Sequence, residues 1–201
     1  VTAHTLPLLF GVDVFPVREN VAVTTTLVPP MPEPNYSVVG LTGNRSRRIG
    51  IYRSYGASMD EGWTRWIFDS HKVPFTSIVD RELRAGNLNA RFDVIILPDQ
   101  SAGAIARGLG TNYPDSLRGG VGEDGAKALA AFVENGGTVL AFNEASDYAI
   151  DTFKLPVKNA LAGVRNTEFY APGSLFKVTL DKGNPIAARH TATTAAVWFE
   201  D

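Results

Sequence analysis

The chain has 201 residues, 44% of them hydrophobic, with 19 Lys and Arg against 21 Asp and Glu, a net charge of -2, and no cysteine. Such a length buries a proper core, while the absent cysteine excludes disulfides, thiolate metal ligands and thiol nucleophiles. The balanced charge, without a basic stripe, argues against a nucleic-acid binder, and no apolar run approaches the ~20 residues of a membrane-spanning helix.

The start, Val1-Thr2-Ala3-His4, has no initiator Met and neither the charged nor the apolar region of a signal peptide, so a fragment or processed form is expected. Val12 to Val17 and Val21 to Leu27 are short and rich in β-branched residues, which predicts strands. Pro29, Pro30, Pro32 and Pro34 then form a stiff extended connector, and Tyr36 to Leu41 reads as an edge strand. Residues 1–46 are thus expected to be a β extension with a Pro-rich connector, and 47–201 the main α/β domain. Arg45, Arg47 and Arg48 read as a solvated lead-in to the first strand.

From there the pattern alternates. Ile49 to Tyr52 predicts a short buried strand, and Ser58 with Glu61 has the spacing of a capping box. Trp63, Trp66, Ile67 and Ser70 fall on one face of the following helix, so the tryptophans are expected in the core. Phe75 to Val79 gives a second strand and Asp93 to Leu97 a third, the latter lacking polar alternation, as a parallel strand covered on both faces would. A Gly-rich stretch from Ser101 to Gly122 reads as a long loop. A helix follows over Glu123 to Asn135, with Leu129, Phe132 and Val133 as its apolar face and Gly136-Gly137 as its stop. Thr138 to Phe142 is the fourth strand; Leu175 to Leu180 and Ala196 to Phe199 predict two more. Strands alternating with helices imply an α/β fold with a mostly parallel sheet and right-handed crossovers.

Three histidines, His4, His71 and His190, lie far apart without metal-ligand spacing, so no zinc site is expected here, and His71 is placed at a helix end. Gly120 to Gly125 spells a GxGxxG, but a loop leads into it and Glu123 and Asp124 sit where phosphates would, so a flexible loop and helix start is the better reading. Ser54 and Ser146 would need a histidine base, for which only His190 could lie near a strand end, and are expected in turns or caps. Ligands of open α/β sheets bind beyond the strand C-termini. The residues delivered there are Arg53 and Ser54, then Asp80, then Asp99 and Gln100, and finally Asn143 and Glu144. Arg53, Ser54, Asp99, Gln100, Asn143 and Glu144 form the candidate ligand site. Asp99 and Glu144 are the carboxylates of an alternative reading, a cysteine-free hydrolase, and a purely structural spacer is the third.

Two resemblances add to this. The stretch from Arg47 to Ser146, ending in Gly136-Gly137-Thr138-Val139-Leu140-Ala141-Phe142-Asn143-Glu144-Ala145-Ser146, resembles a class I glutamine amidotransferase, a flavodoxin-like three-layer sandwich in which the turn after such a strand carries a cysteine nucleophile. Here that turn holds Asn143 and Glu144, so thiol-dependent glutaminase chemistry is excluded. The opening Val1 to Val12, with Tyr52 to Trp66, Ala85 to Val94 and Glu168 to Leu175, is similar to the C-terminal region of bacterial zinc-carboxypeptidase family proteins. That resemblance implies an exported metallocarboxypeptidase parent acting in proteolysis, with zinc in a peptidase domain upstream of Val1. No zinc ligand or catalytic glutamate carries over to this chain. The expectation is a non-catalytic accessory domain with a degenerate site, needing no cofactor of its own. It would dock on the upstream peptidase domain or bind a small polar ligand, with the Ser101–Gly122 stretch as lid or docking surface.

Overall fold

Ile49–Tyr52 (β1) is a strand with three of its four residues buried, and Gly50 leaves room for the Phe92 ring, which an added Cβ would meet at 3.1 Å. The structure, a computed structural model, describes residues 22, 24, 26, 27, 47–171, 173–188 and 193–199. The chain divides into two compact units, Pro32–Ala160 and a second made of Val1–Met31 with Leu161–Asp201. The strands expected at Val12 to Val17 and Tyr36 to Leu41 lie outside the described residues. Within Val21 to Leu27, the described Ala22, Thr24, Thr26 and Leu27 carry no regular secondary structure.

In the larger unit β1 leads through Met59–Ser70 (α1) to Thr76–Ile78 (β2), then through two short helices, Asp80–Arg84 (α2) and Leu88–Arg91 (α3), to Val94–Leu97 (β3). Ala102–Arg107 (α4), a 3-10 turn at Asp115–Leu117 and Gly122–Glu134 (α5) precede Thr138–Ala141 (β4), and Ala145–Phe153 (α6) follows it. The strands are parallel in the order β2-β1-β3-β4, with Ile51 opposite Ile96 and Ile96 opposite Leu140. This is an α/β fold with an all-parallel sheet flanked by helices, as in a flavodoxin-like three-layer sandwich.

Alternation along the strands sorts the two faces. Tyr52, Ile95, Leu97, Val139 and Ala141 join a core with Leu83, Leu88, Ile105, Leu129 and Phe132 from the helices. Ile51 and Ile96 are buried on the opposite face, where the β1–β2 crossover carries α1. The entrance to this sheet is pinned by Arg48. Its guanidinium bonds Asp93 and the carbonyls of Asn89 and Phe92, and it holds the Asp93 carboxyl down at about 2. Arg48 is thus exposed, as a solvated lead-in would be, and serves as a tether as well.

Three expectations are corrected. Trp63 and Trp66 are not core: they are 56% and 60% exposed, on the outer side of α1, packed edge to face at 5.9 Å. The inward side of that helix is taken instead by Glu61, buried and paired with Arg65 at 2.6 Å, and by Phe68, which meets Phe75. The stretch from Ser101 to Gly122 is not one long loop either. Ser101 caps α4 by accepting the Ala104 N–H at 3.3 Å, and the irregular part runs only from Gly108 to Val121. Val133, expected on the buried face of α5, is exposed.

The smaller unit contains an antiparallel pair, Ser174–Thr179 (β5) against Thr194–Phe199 (β6), with Pro185–Ala188 (α7) between them. Both strands fall where the alternation put them.

Candidate functional site

The strand order reverses direction between β1 and β3, so the crevice of an open sheet opens there, beyond Tyr52 and Leu97. Ser58 ties the two strand ends together. Its hydroxyl accepts the Glu61 N–H at 3.2 Å, capping α1, and donates to the Asp99 carbonyl at 3.3 Å. Next to it Gln100 donates to the Ser54 hydroxyl at 2.9 Å, and Ser54 donates to the Gly56 carbonyl at 2.8 Å. Ser54 is therefore buried and held by a turn, with no base beside it.

The second group gathers around Asp99. One carboxylate oxygen accepts the Asn143 side-chain amide at 2.9 Å and the other the backbone N–H of Glu144 at 3.0 Å. Asn143 has φ +45°, the left-handed conformation that Asn tolerates better than most residues, at the sharp turn from β4 into α6. A strained strand-to-helix turn of this kind presents a nucleophile in hydrolases. Here it presents an amide already bonded to a neighbouring carboxylate.

The predicted residues thus form two bonded sets, Ser54 with Gln100 and Asp99 with Asn143 and Glu144. Arg53 stands apart: its backbone N–H extends the sheet to Ile78, and its exposed guanidinium has no hydrogen bond or ion pair among the described residues. Asp99 meets the main chain of Glu144, not its carboxylate. The GxGxxG at Gly120 has no strand leading into it, because β3 ends at Leu97. Among the described residues no three His, Asp or Glu side chains converge as a metal site requires, and no helix is long and apolar enough to cross a membrane.

A further set escaped the sequence reading. Asp80 begins α2 directly beyond β2 and is fully buried, with one carboxyl oxygen accepting the Tyr52 hydroxyl at 2.6 Å and the other without a hydrogen-bond partner. Burial raises the Asp80 pKa, against the hydrogen bond from Tyr52 and the nearby Arg84 charge. The Tyr52 and Tyr148 phenols are also raised, mainly by burial, and Tyr148 has no aligned partner. The loop from Gly108 to Val121 closes over this group. Arg84 reaches from α2 to the carbonyls of Arg118 and Gly120, and Arg118 fastens the loop to itself through Tyr113, Thr111 and Asp115. The sequence places Asp80 at a strand end, but nothing in the one-dimensional pattern shows that Tyr52 points to it or that the loop covers it.

No family model matches the chain, and neither does any curated protein or solved structure. The site's meaning therefore rests on its own geometry.

Proposed function

We propose that this chain is a non-catalytic accessory domain that docks on the peptidase part of a zinc-carboxypeptidase-like parent, exported and acting in proteolysis. The observation that carries docking is the outward stripe of α1. Met59, Trp63, Trp66 and Ile67 are all exposed along one side of a single helix. Exposed apolar patches of this kind mark interaction surfaces, and tryptophan is the residue most enriched at binding hot spots. The sheet adds to it: Leu140 is 42% exposed although its ladder partner Ile96 is 3% exposed. Among the described residues β4 ends the sheet, and no charge guards its edge from Thr138 to Phe142.

The crevice favours a non-catalytic role. A general base needs a carboxylate free to take a proton, yet both oxygens of Asp99 already accept hydrogen bonds. The hydrolase reading based on Asp99 and Glu144 is weakened further because Asp99 meets the main chain of Glu144 and the Glu144 side chain is exposed. Zinc and the peptide substrate belong, in this proposal, to the neighbouring domain.

The catalytic half of the question has a direct assay. Incubated with ester, amide and C-terminal peptide substrates, the purified chain is expected to give rates indistinguishable from its Asp99→Asn and Glu144→Gln variants. A wild-type rate that drops on the order of 100-fold in either variant, the usual scale for losing an acid or base, would overturn the reading.

A further inference from the structure

Away from the strand-end crevice, a cleft of about 290 Å3 opens between α4 and α6. Its α4 side consists of Ala102, Gly103, Ala106 and Arg107, and its α6 side of Tyr148, Asp151 and Thr152. Small residues leave the space; the charged ones set its chemistry. A Cβ at Gly103 would lie 2.5 Å from Arg107 Nη2 and 3.3 Å from its Cζ, so the guanidinium lies back along the helix where only a glycine admits it. Arg107 and Asp151 line the same cleft without forming an ion pair with each other. Neither side chain has a hydrogen bond or ion pair among the described residues.

A guanidinium and a carboxylate that share one small cleft unpaired select a ligand by charge. A lone anion attracted by Arg107 is repelled by Asp151, and a lone cation meets the reverse; a molecule with both charges gains from each. The volume equals roughly ten waters at about 30 Å3 each, room enough for an amino acid with a short side chain. The Tyr148 ring and the alanines suit a short apolar side chain.

We propose that the α4–α6 cleft binds a small zwitterion of the α-amino-acid type, its carboxylate on Arg107 and its ammonium on Asp151. The site lies outside the crevice considered above and does not depend on the docking role. Titration of the whole chain with L-alanine, followed by amide chemical shifts, is expected to saturate, with the shifting residues on α4 and α6. Acetate and methylammonium, each carrying one of the two charges, should bind at least about tenfold more weakly, as should L-alanine to Arg107→Gln and to Asp151→Asn. Gly103→Ala, which displaces the guanidinium, should weaken binding too. Both charge variants change exposed side chains and should keep the wild-type unfolding midpoint. The proposal is overturned if L-alanine shows no saturation in the tens of millimolar, roughly the scale of a negligible affinity. It is equally overturned if acetate matches L-alanine, or if both charge variants bind as the wild type does.

Discussion

Gly120→Ala is expected to destabilise the larger unit by about 2–4 kcal/mol, the combined scale of left-handed strain and an overpacked contact. Gly120 has φ +52°, and an added Cβ would lie 2.5 Å from the amide nitrogen of Gly108 and 2.5 Å from the carbonyl oxygen of Ile105. Those atoms are main chain and cannot swing aside. Gly108, at φ +55°, meets Gly120 from the other side, so the two glycines form the crossing at which the loop closes. Gly110, on the same loop, has open space around it. Gly110→Ala should therefore change stability by no more than about 0.5 kcal/mol. Urea unfolding of the two variants checks the contrast, and equal midpoints would show that the crossing does not hold the loop.

The second large effect concerns pH. Asp80 is uncharged in both folded and unfolded chains at low pH. Its folded pKa is raised above the ordinary aspartate value of 3.8, chiefly by burial. Between these two values the folded chain holds a proton that the unfolded chain has released, so stability falls as pH rises through that window. The contribution is fully present below the unfolded value and is lost above the folded one. Asp80→Asn keeps the shape and an acceptor for Tyr52 but cannot ionise. Its stability, measured by denaturant titration at a series of pH values from the ordinary aspartate range upward, should lack this part of the slope. Relative to wild type it should gain steadily as pH rises. Parallel curves for the two proteins would mean that Asp80 does not titrate differently on folding.

Much of the fold is legible in the sequence because it depends on local signals. Val94 to Leu97 is an uninterrupted apolar run, and it alternates with helical stretches as Ile49 to Tyr52 and Thr138 to Ala141 do, a pattern that implies a parallel sheet. Ser58 and Glu61 mark the start of α1 one residue from where it begins. The orientation of α1 is another matter. Periodicity identifies a face with Trp63, Trp66 and Ile67 but not which way that face turns, and the Phe68–Phe75 contact together with buried Glu61, paired with Arg65, decides it the other way. Short helices such as Asp80–Arg84 and Leu88–Arg91 carry too few residues to show a period.

The site was legible to the same extent. Topology brings Asp99, Asn143 and Glu144 to one edge, as strand ends and spacing imply. Whether their polar atoms are free or bonded to each other depends on a turn geometry, Asn143 at positive φ, that no sequence pattern specifies. The buried Asp80–Tyr52 pair depends on contacts 28 residues apart in the chain.

Docking through α1 is measured directly by sedimentation of this chain with the peptidase region proposed to lie upstream of it. Wild type is expected to associate at micromolar concentration. Trp63→Glu combined with Trp66→Glu should weaken that association by at least about 100-fold, the scale of losing hot-spot tryptophans, while the unfolding midpoint stays unchanged because both side chains face solvent. No association at roughly 100 μM, a concentration at which even a weak specific complex forms, would contradict the account. So would a complex that the double variant forms equally well.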